Sequence, residues 1–314
     1  MGTLTSCLTR PTLTRMSAYP DYLPLGPAPR PTSGEELHAR VVATARQQGF
    51  GGAFEAGMEA ILAGTTIVLD GDDVASAAVD ATGVVIPESA LTSTDAHDTA
   101  DLADSANLEN LPAVVGETPG ILRVGTFRAH PLTVADVAID VDAEVRDLPI
   151  RWIDAADGSV GVEPLPPTEA APVTGHLRIS APQQAVVDAV RRIATAQAAA
   201  QGLTLVRLDV ELTSVGPREV SLRAEAKLRR GILSASAHAT GRASVDDALV
   251  LRFADVSLGS ANPIVAGLLA VARGRVREAT ARPIDLAEQL PPGVRVSGVQ
   301  LEAGEHLRLS ARLS

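Results

Sequence analysis

The chain has 314 residues, 46% hydrophobic and 21% charged, which is enough apolar material for one large domain or two ordinary ones and excludes a disordered polypeptide. A formal net charge of −11 argues against a general nucleic-acid binder, and a single cysteine, Cys7, excludes a disulfide framework or a thiolate metal cage. Only 2% of the residues are aromatic, so the core must be built almost wholly from Ala, Val, Leu and Ile.

Residues 1–32, punctuated by Pro27, Pro29 and Pro31, read as a disordered lead-in without the apolar stretch of a secretory signal. No run elsewhere is long and apolar enough to span a bilayer, which predicts a cytoplasmic protein or one peripheral to the inner face of the membrane. Ser33 with Glu36 is a capping-box start for a helix, which glycines 49, 51 and 52 interrupt before AFEAGMEAILA resumes it. Thr65 to Leu69 is a short strand closed by the turn pair Asp70-Gly71. Together these form an N-terminal unit of helix and short strands over 33–93, either separate from the C-terminal residues or part of the same domain.

Charge is uneven: residues 41–171 sum to −17 and residues 172–314 to +5. The densest acidic stretch lies in 94–120, where Asp95, Asp98, Asp101 and Asp104 recur every third residue. Without the ligand spacing of a calcium loop, this is a solvated linker or loop.

From 121 to the end the pattern is mainly period two. Val137, Ile139, Val141, Ala143 and Val145 carry one apolar face; beyond Asp147 the phase passes to Leu148, Ile150 and Trp152, which predicts a bulge. After a Pro-rich connector and a strand, Ser180 and Gln183 repeat the capping pattern before a helix. Its stripe is Val186, Val190, Ile193, Ala196 and Ala200, and Gly202 closes it. A four-strand meander comes next, with apolar residues Val206, Leu208, Val210 and Leu212; then Val220, Leu222, Ala224, Ala226 and Leu228; then Ala235, Ala237 and Ala239; then Leu249, Leu251 and Phe253. Asn262-Pro263 opens a third helix with Ile264, Leu268, Ala272 and Val276 in line, and Pro291-Pro292-Gly293 leads to a closing hairpin.

One-sided strands alternating with striped helices predict an α+β fold: a long, strongly curved antiparallel sheet rolled around long helices. Where small aliphatic side chains close imperfectly, an apolar groove remains between sheet and helix, and each methylene buried there contributes about 0.8 kcal/mol. The groove-lining residues are then Val186, Val190, Ile193, Leu208, Val210, Leu222, Leu249, Leu251, Phe253, Ile264 and Leu268. Arg273, Arg275, Arg277 and Arg282 either contact anionic headgroups or a membrane, or simply complement the C-terminus of the third helix. The six histidines are scattered, and neither a GxSxG elbow nor an HExxH pair occurs, so neither an enzyme nor a metal or other cofactor is expected.

The stretches HPLTVADVAIDV (130–141), GHLRISAPQ (175–183), GSANPIVAG (259–267) and LPPGVRVSGVQL (290–301) resemble the LmeA-like actinobacterial lipid-binding proteins of the TULIP (tubular lipid-binding) superfamily, over residues 121–314. That resemblance implies phospholipid or other long-chain amphiphile binding, with transport between membranes as its use. It differs in one respect, since those proteins are typically exported and this sequence carries no signal peptide. The alternative reading is a non-enzymatic scaffold or protein-interaction module with a filled core.

Overall fold

The computed structural model describes residues 22–48, 53–88, 111–168, 170–200, 202–230, 233–246, 250–260, 283–285 and 295–314. It corrects the expected architecture. The protein is mostly β, with 64% strand, 17% helix and three helices among the described residues, and its sheets are not strongly curled. Helices α1 (Gly34–Gln48), α2 (Ala53–Ala63) and α3 (Gln183–Ala200) have 15, 11 and 18 residues, so the longest spans about 27 Å, against about 60–70 Å for strands Val114–Val134 and Val137–Ala155. Helix α1 lies against strand β2 (Thr65–Asp70) and α3 against β9 (Thr204–Gly216), where a helix covers exposed strand backbone and no sheet need roll around it, while α2 lies against Asp73–Asp80 and Val85–Ile86. The third helix expected from Asn262 lies outside the described residues.

Ten strands form the first sheet. Its main path runs β14 (Val296–Ala303), β15 (His306–Leu313), β8 (Thr174–Pro182), β6 (Val137–Ala155), β5 (Val114–Val134), β3 (Asp73–Asp80) and β2. Off that path, β7 (Ser159–Pro164) pairs with β6 and with β1 (Leu23–Pro27), and β4 (Val85–Ile86) pairs with β5. Strands from 33–93 and from 121–314 therefore share one sheet. Part of the Pro-rich lead-in belongs to it as well: Leu25 of β1 is buried in a cluster with Leu37, Val74, Ile150, Trp152 and Val160. Strand β5 begins inside the stretch read as an acidic linker, whose aspartates 95, 98, 101 and 104 lie outside the described residues.

Strand β6 explains the change of apolar phase, and it does so without the expected bulge. Pairing with β5 keeps its register there, with Leu122 opposite Leu148 and Val124 opposite Arg146. Asp147 instead takes a left-handed backbone (φ 56°). At that residue β6 changes partner, from β8 through Arg146 to β7 from Ile150 onward. The left-handed residue turns the following side chains over, so each half of the strand presents its apolar face to its own core. Asp147 is exposed, so this conformation is testable in isolation. Replacing it by Val, which strand propensity alone would favour, is expected to destabilise the protein by about 1–2 kcal/mol relative to Asp147→Asn in urea unfolding, because a branched Cβ strains a positive φ.

Helix α1 starts as its sequence indicates. The Ser33 hydroxyl accepts from the Glu36 amide at 3.2 Å, and the Glu36 carboxylate accepts from the Thr32 amide at 3.0 Å. Helix α3 starts differently: Ser180 belongs to β8 opposite Arg308, and the Gln183 amide donates to the Glu305 carbonyl at 3.0 Å. Its C-terminus follows the expected pattern, with Gly202 at φ 69° and the Leu203 amide reaching the Ala198 carbonyl at 2.9 Å.

The second sheet has the order β13 (Ile284–Asp285), β12 (Val250–Gly259), β11 (Leu233–Val245), β10 (Glu219–Arg230) and β9. Its joint with the first sheet is made at the β9–β10 turn. The Leu301 amide of β14 donates to the Pro217 carbonyl at 2.8 Å, the Arg218 guanidinium donates to the Val299 carbonyl at 3.0 Å, and the Ala303 amide donates to the Ser214 hydroxyl at 2.6 Å. Beside these bonds Val245 and Val299 are buried with Leu251, Val296, Leu309 and Ala311, giving the joint an apolar centre.

Candidate functional site

Antiparallel register brings the alternating apolar residues of the second sheet into rows across four strands. Val210 lies opposite Ala224, which lies opposite Ala239, which lies opposite Leu258. The next rows are Leu212, Leu222 and Gly241, then Val220, Ala243 and Phe253; in the other direction Leu208, Ala226 and Ala237 align. Strand β11, with Ala224 and Ala226 of β10, thus supplies a floor of Ala and Gly, while β9, β12 and the ends of β10 supply larger aliphatic side chains. Gly241 is where the wall leans in, since a Cβ there would meet the Val256 methyl at 3.5 Å.

This face is only partly covered. Leu222 is 38% exposed, Phe253 37% and Val256 39%. Leucine, phenylalanine and valine clustered this openly form a patch, unlike the single exposed hydrophobics that any surface carries. The exposed residues lie in the rows next to the joint, where Leu251 packs beside Val245, whereas toward the β10–β11 end Leu205 and Leu228 are half-buried and Leu208 is buried.

The structure sorts the expected groove residues into three groups. Leu208, Val210, Leu222, Leu251 and Phe253 do share the aliphatic face of the second sheet. The α3 stripe divides: Val186, beside Ala189 of the same helix, packs with Val137 and Ala181 of the first sheet, Val190 is 43% exposed, and Ile193 is half-buried. Leu249, Ile264 and Leu268 lie outside the described residues, as do Arg273, Arg275, Arg277 and Arg282. Val206, read as part of the β9 apolar face, is the residue skipped between Leu205 opposite Leu228 and Arg207 opposite Lys227, and it is 51% exposed. Val256 and Leu258 escape a reading by alternation because another slip in pairing, beside the left-handed Asp255 (φ 53°), shifts the phase along β12.

Helix α3 runs beside β9 and is held to its backbone: Arg191 donates to the Leu208 carbonyl at 3.0 Å, and Gln183 donates to the Leu212 carbonyl at 3.4 Å. The opposite face of the second sheet is polar. Arg207 and Asp209 form an ion pair at 2.5 Å, and Arg242 reaches Asp255 at 3.2 Å.

Polar side chains elsewhere are structural in arrangement. Nε2 of His176 donates to Asp142 at 2.5 Å across β6 and β8, and this hydrogen bond holds the Asp142 carboxyl below the usual carboxylate range. Arg30 grips Asp154 with two hydrogen bonds, Nε at 3.1 Å and Nη2 at 2.5 Å, which lowers that carboxyl as well. His238 is exposed on the polar phase of β11, as its position in the sequence suggests. His306 is half-buried with Nδ1 enclosed. Among the described residues no group of three or more His, Cys, Asp or Glu could hold a metal ion, and no helix is long and apolar enough to cross a membrane. Comparisons with protein-family models, with curated proteins and with solved structures find no match.

Proposed function

We propose that the protein binds the acyl chain of a lipid or similar long-chain amphiphile along the aliphatic face of the second sheet, working beside a membrane and moving or holding that lipid. The observation that carries this reading is the open patch of Leu222, Phe253 and Val256 beside the Ala/Gly floor. Small residues along β11 and at Ala224 and Ala226 of β10 leave room that a chain of methylenes fills without requiring any polar group.

Dimensions support the reading. From Ala235 to Ala243 the floor runs eight residue steps along β11, about 26 Å at strand rise. One leaflet of a bilayer core is about 15 Å deep, so a whole acyl chain fits lengthwise. A dozen buried methylenes contribute roughly 10 kcal/mol before the costs of association. The chain would lie on an open face, since the sheets do not curl into a tube.

Organic-solvent extraction of the purified protein followed by mass spectrometry should recover lipid near one mole per mole. Ala239→Trp places an indole on the middle of the floor. If it displaces about three methylenes, binding of a fluorescent fatty acid should weaken roughly fiftyfold while the circular dichroism spectrum is kept. Absence of extractable lipid, together with equal probe binding by the two proteins, would overturn the reading in favour of a filled interaction module.

A further inference from the structure

The β10–β11 end of the second sheet carries, on its polar face, a charge pattern that the aliphatic rows do not require. Arg207 of β9 lies directly opposite Lys227 of β10, two cations facing each other across the strand pair, an arrangement that costs stability. Arg207 is partly relieved by its own Asp209. Lys227 and its neighbour on the same face, Arg229, are exposed and form no ion pair among the described residues, and Arg230 ends the strand. Acidic partners begin one row further in, with Asp209 opposite Glu225. Among the described residues, the last two polar rows of this end, Arg207 with Lys227 and Thr204 with Arg229, continue into Ser236 and Ser234 and include no carboxylate. That local excess of positive charge stands out in a chain whose net charge is −11.

Beside these cations Val206, unpaired between Leu205 and Arg207, is 51% exposed, and on the other face of the same strand ends the half-buried row of Leu205, Leu228 and Ala235 terminates the floor. Cations beside an exposed aliphatic side chain suit the boundary between headgroups and acyl chains, where long basic side chains reach phosphate while the aliphatic group meets hydrocarbon.

We propose that this end of the second sheet docks on an anionic lipid surface through Arg207, Lys227 and Arg229, with Val206 against the acyl boundary. The inference rests on the acyl-binding reading above and places the membrane at the β10–β11 end of the floor, away from the joint with the first sheet.

The test is co-sedimentation of the full chain with vesicles of phosphatidylcholine alone and of phosphatidylcholine mixed with phosphatidylserine. The expected result is binding to the mixed vesicles only, weakening as salt is raised. Joint replacement Arg207→Ser, Lys227→Ser and Arg229→Ser should reduce that partition roughly a hundredfold. Arg252→Ser on β12, whose partner is Asp246 nearer the joint, should leave it within about twofold. Equal binding to neutral vesicles, or unchanged binding by the triple variant, would overturn the docking proposal. Lipid extraction from the same preparations separates the two readings: a triple variant that keeps its lipid but leaves the vesicles supports docking, whereas a wild type that sediments without holding any lipid refutes acyl binding alone.

Discussion

Gly175→Ala is expected to cost about 3–5 kcal/mol of stability and to bring the urea midpoint down accordingly, a large effect for one added methyl group. Gly175 sits in β8 between β6 and β15, opposite Val145 on one side and Leu313 on the other. A Cβ built there lies 2.1 Å from the Glu144 carbonyl oxygen and 3.0 Å from the Leu313 side chain. The first contact is with backbone in the middle of a ten-stranded sheet, so relief requires β6 and β8 to separate, breaking the ladder that both share with their neighbours. Gly304→Ala, in the β14–β15 turn, meets nothing within 4 Å and should change stability by less than about 0.5 kcal/mol. Gly34 makes a useful third case. Its Cβ would approach the Ile67 carbonyl oxygen at 1.8 Å, closer than at Gly175, yet it lies in the first turn of α1, which can tilt away from β2. If both substitutions cost the same, the sheet interior is no stiffer than its helical border, and rigidity is not what makes Gly175 irreplaceable.

Local sequence chemistry made some of this structure legible. The caps of α1 and the C-terminus of α3 follow from Ser33, Glu36 and Gly202, because those residues act on backbone groups a few positions away. The meander of β9 to β12 follows from period-two alternation, and most of its aliphatic face was readable for the same reason. What alternation does not encode is the object on the other side of that face. The inference that a one-sided sheet must roll around helices failed because other coverings were available: β14 and β15 meet Val245 and Leu251 at the joint, and α3 runs beside β9. Part of the face is only partly covered, at Leu222, Phe253 and Val256.

The misplaced residues share one cause. At Val206 and near Asp255 the pairing slips by one residue, and at Asp147 a left-handed backbone turns the strand without any slip. Each event flips the side-chain phase, and Asp or Val at such positions gives no signal as clear as glycine would. The stripe of α3 failed differently: its helical spacing was right, but a helix between two sheets has two apolar directions, and Val186 faces the first sheet's side. The strand β1 was hidden because prolines mark turns and edge strands alike. Leu25 is held in the core by tertiary contacts with Leu37 and Trp152, which no local pattern announces.

Trp152→Ala should cost about 3–5 kcal/mol, and the way the loss divides tests how the first sheet's core is assembled. Trp152 is 2% exposed and packs with Leu25, Leu37, Val74, Ile150 and Val160, so it joins the N-terminal strand, the first helix and two halves of the sheet. Its indole Nε1 also donates to the Asp72 carbonyl at 2.7 Å, in the turn between β2 and β3. That carbonyl is drawn in so far that a Cβ on Gly120 would lie 2.3 Å from it. The sheet therefore admits the turn at a glycine and the indole then fastens it. Trp152→Phe keeps most of the apolar area but leaves the Asp72 carbonyl without its donor, which should cost about 1–3 kcal/mol. If the ring's packing alone mattered, the Phe variant would retain nearly full stability in urea unfolding followed by circular dichroism. A Phe variant as damaged as the Ala variant would instead mean that the hydrogen bond, and with it the seating of the β2–β3 turn, governs the N-terminal half. The expected intermediate value assigns the larger share to the cluster around Leu25 and Leu37, consistent with a core that has only one tryptophan to hold it.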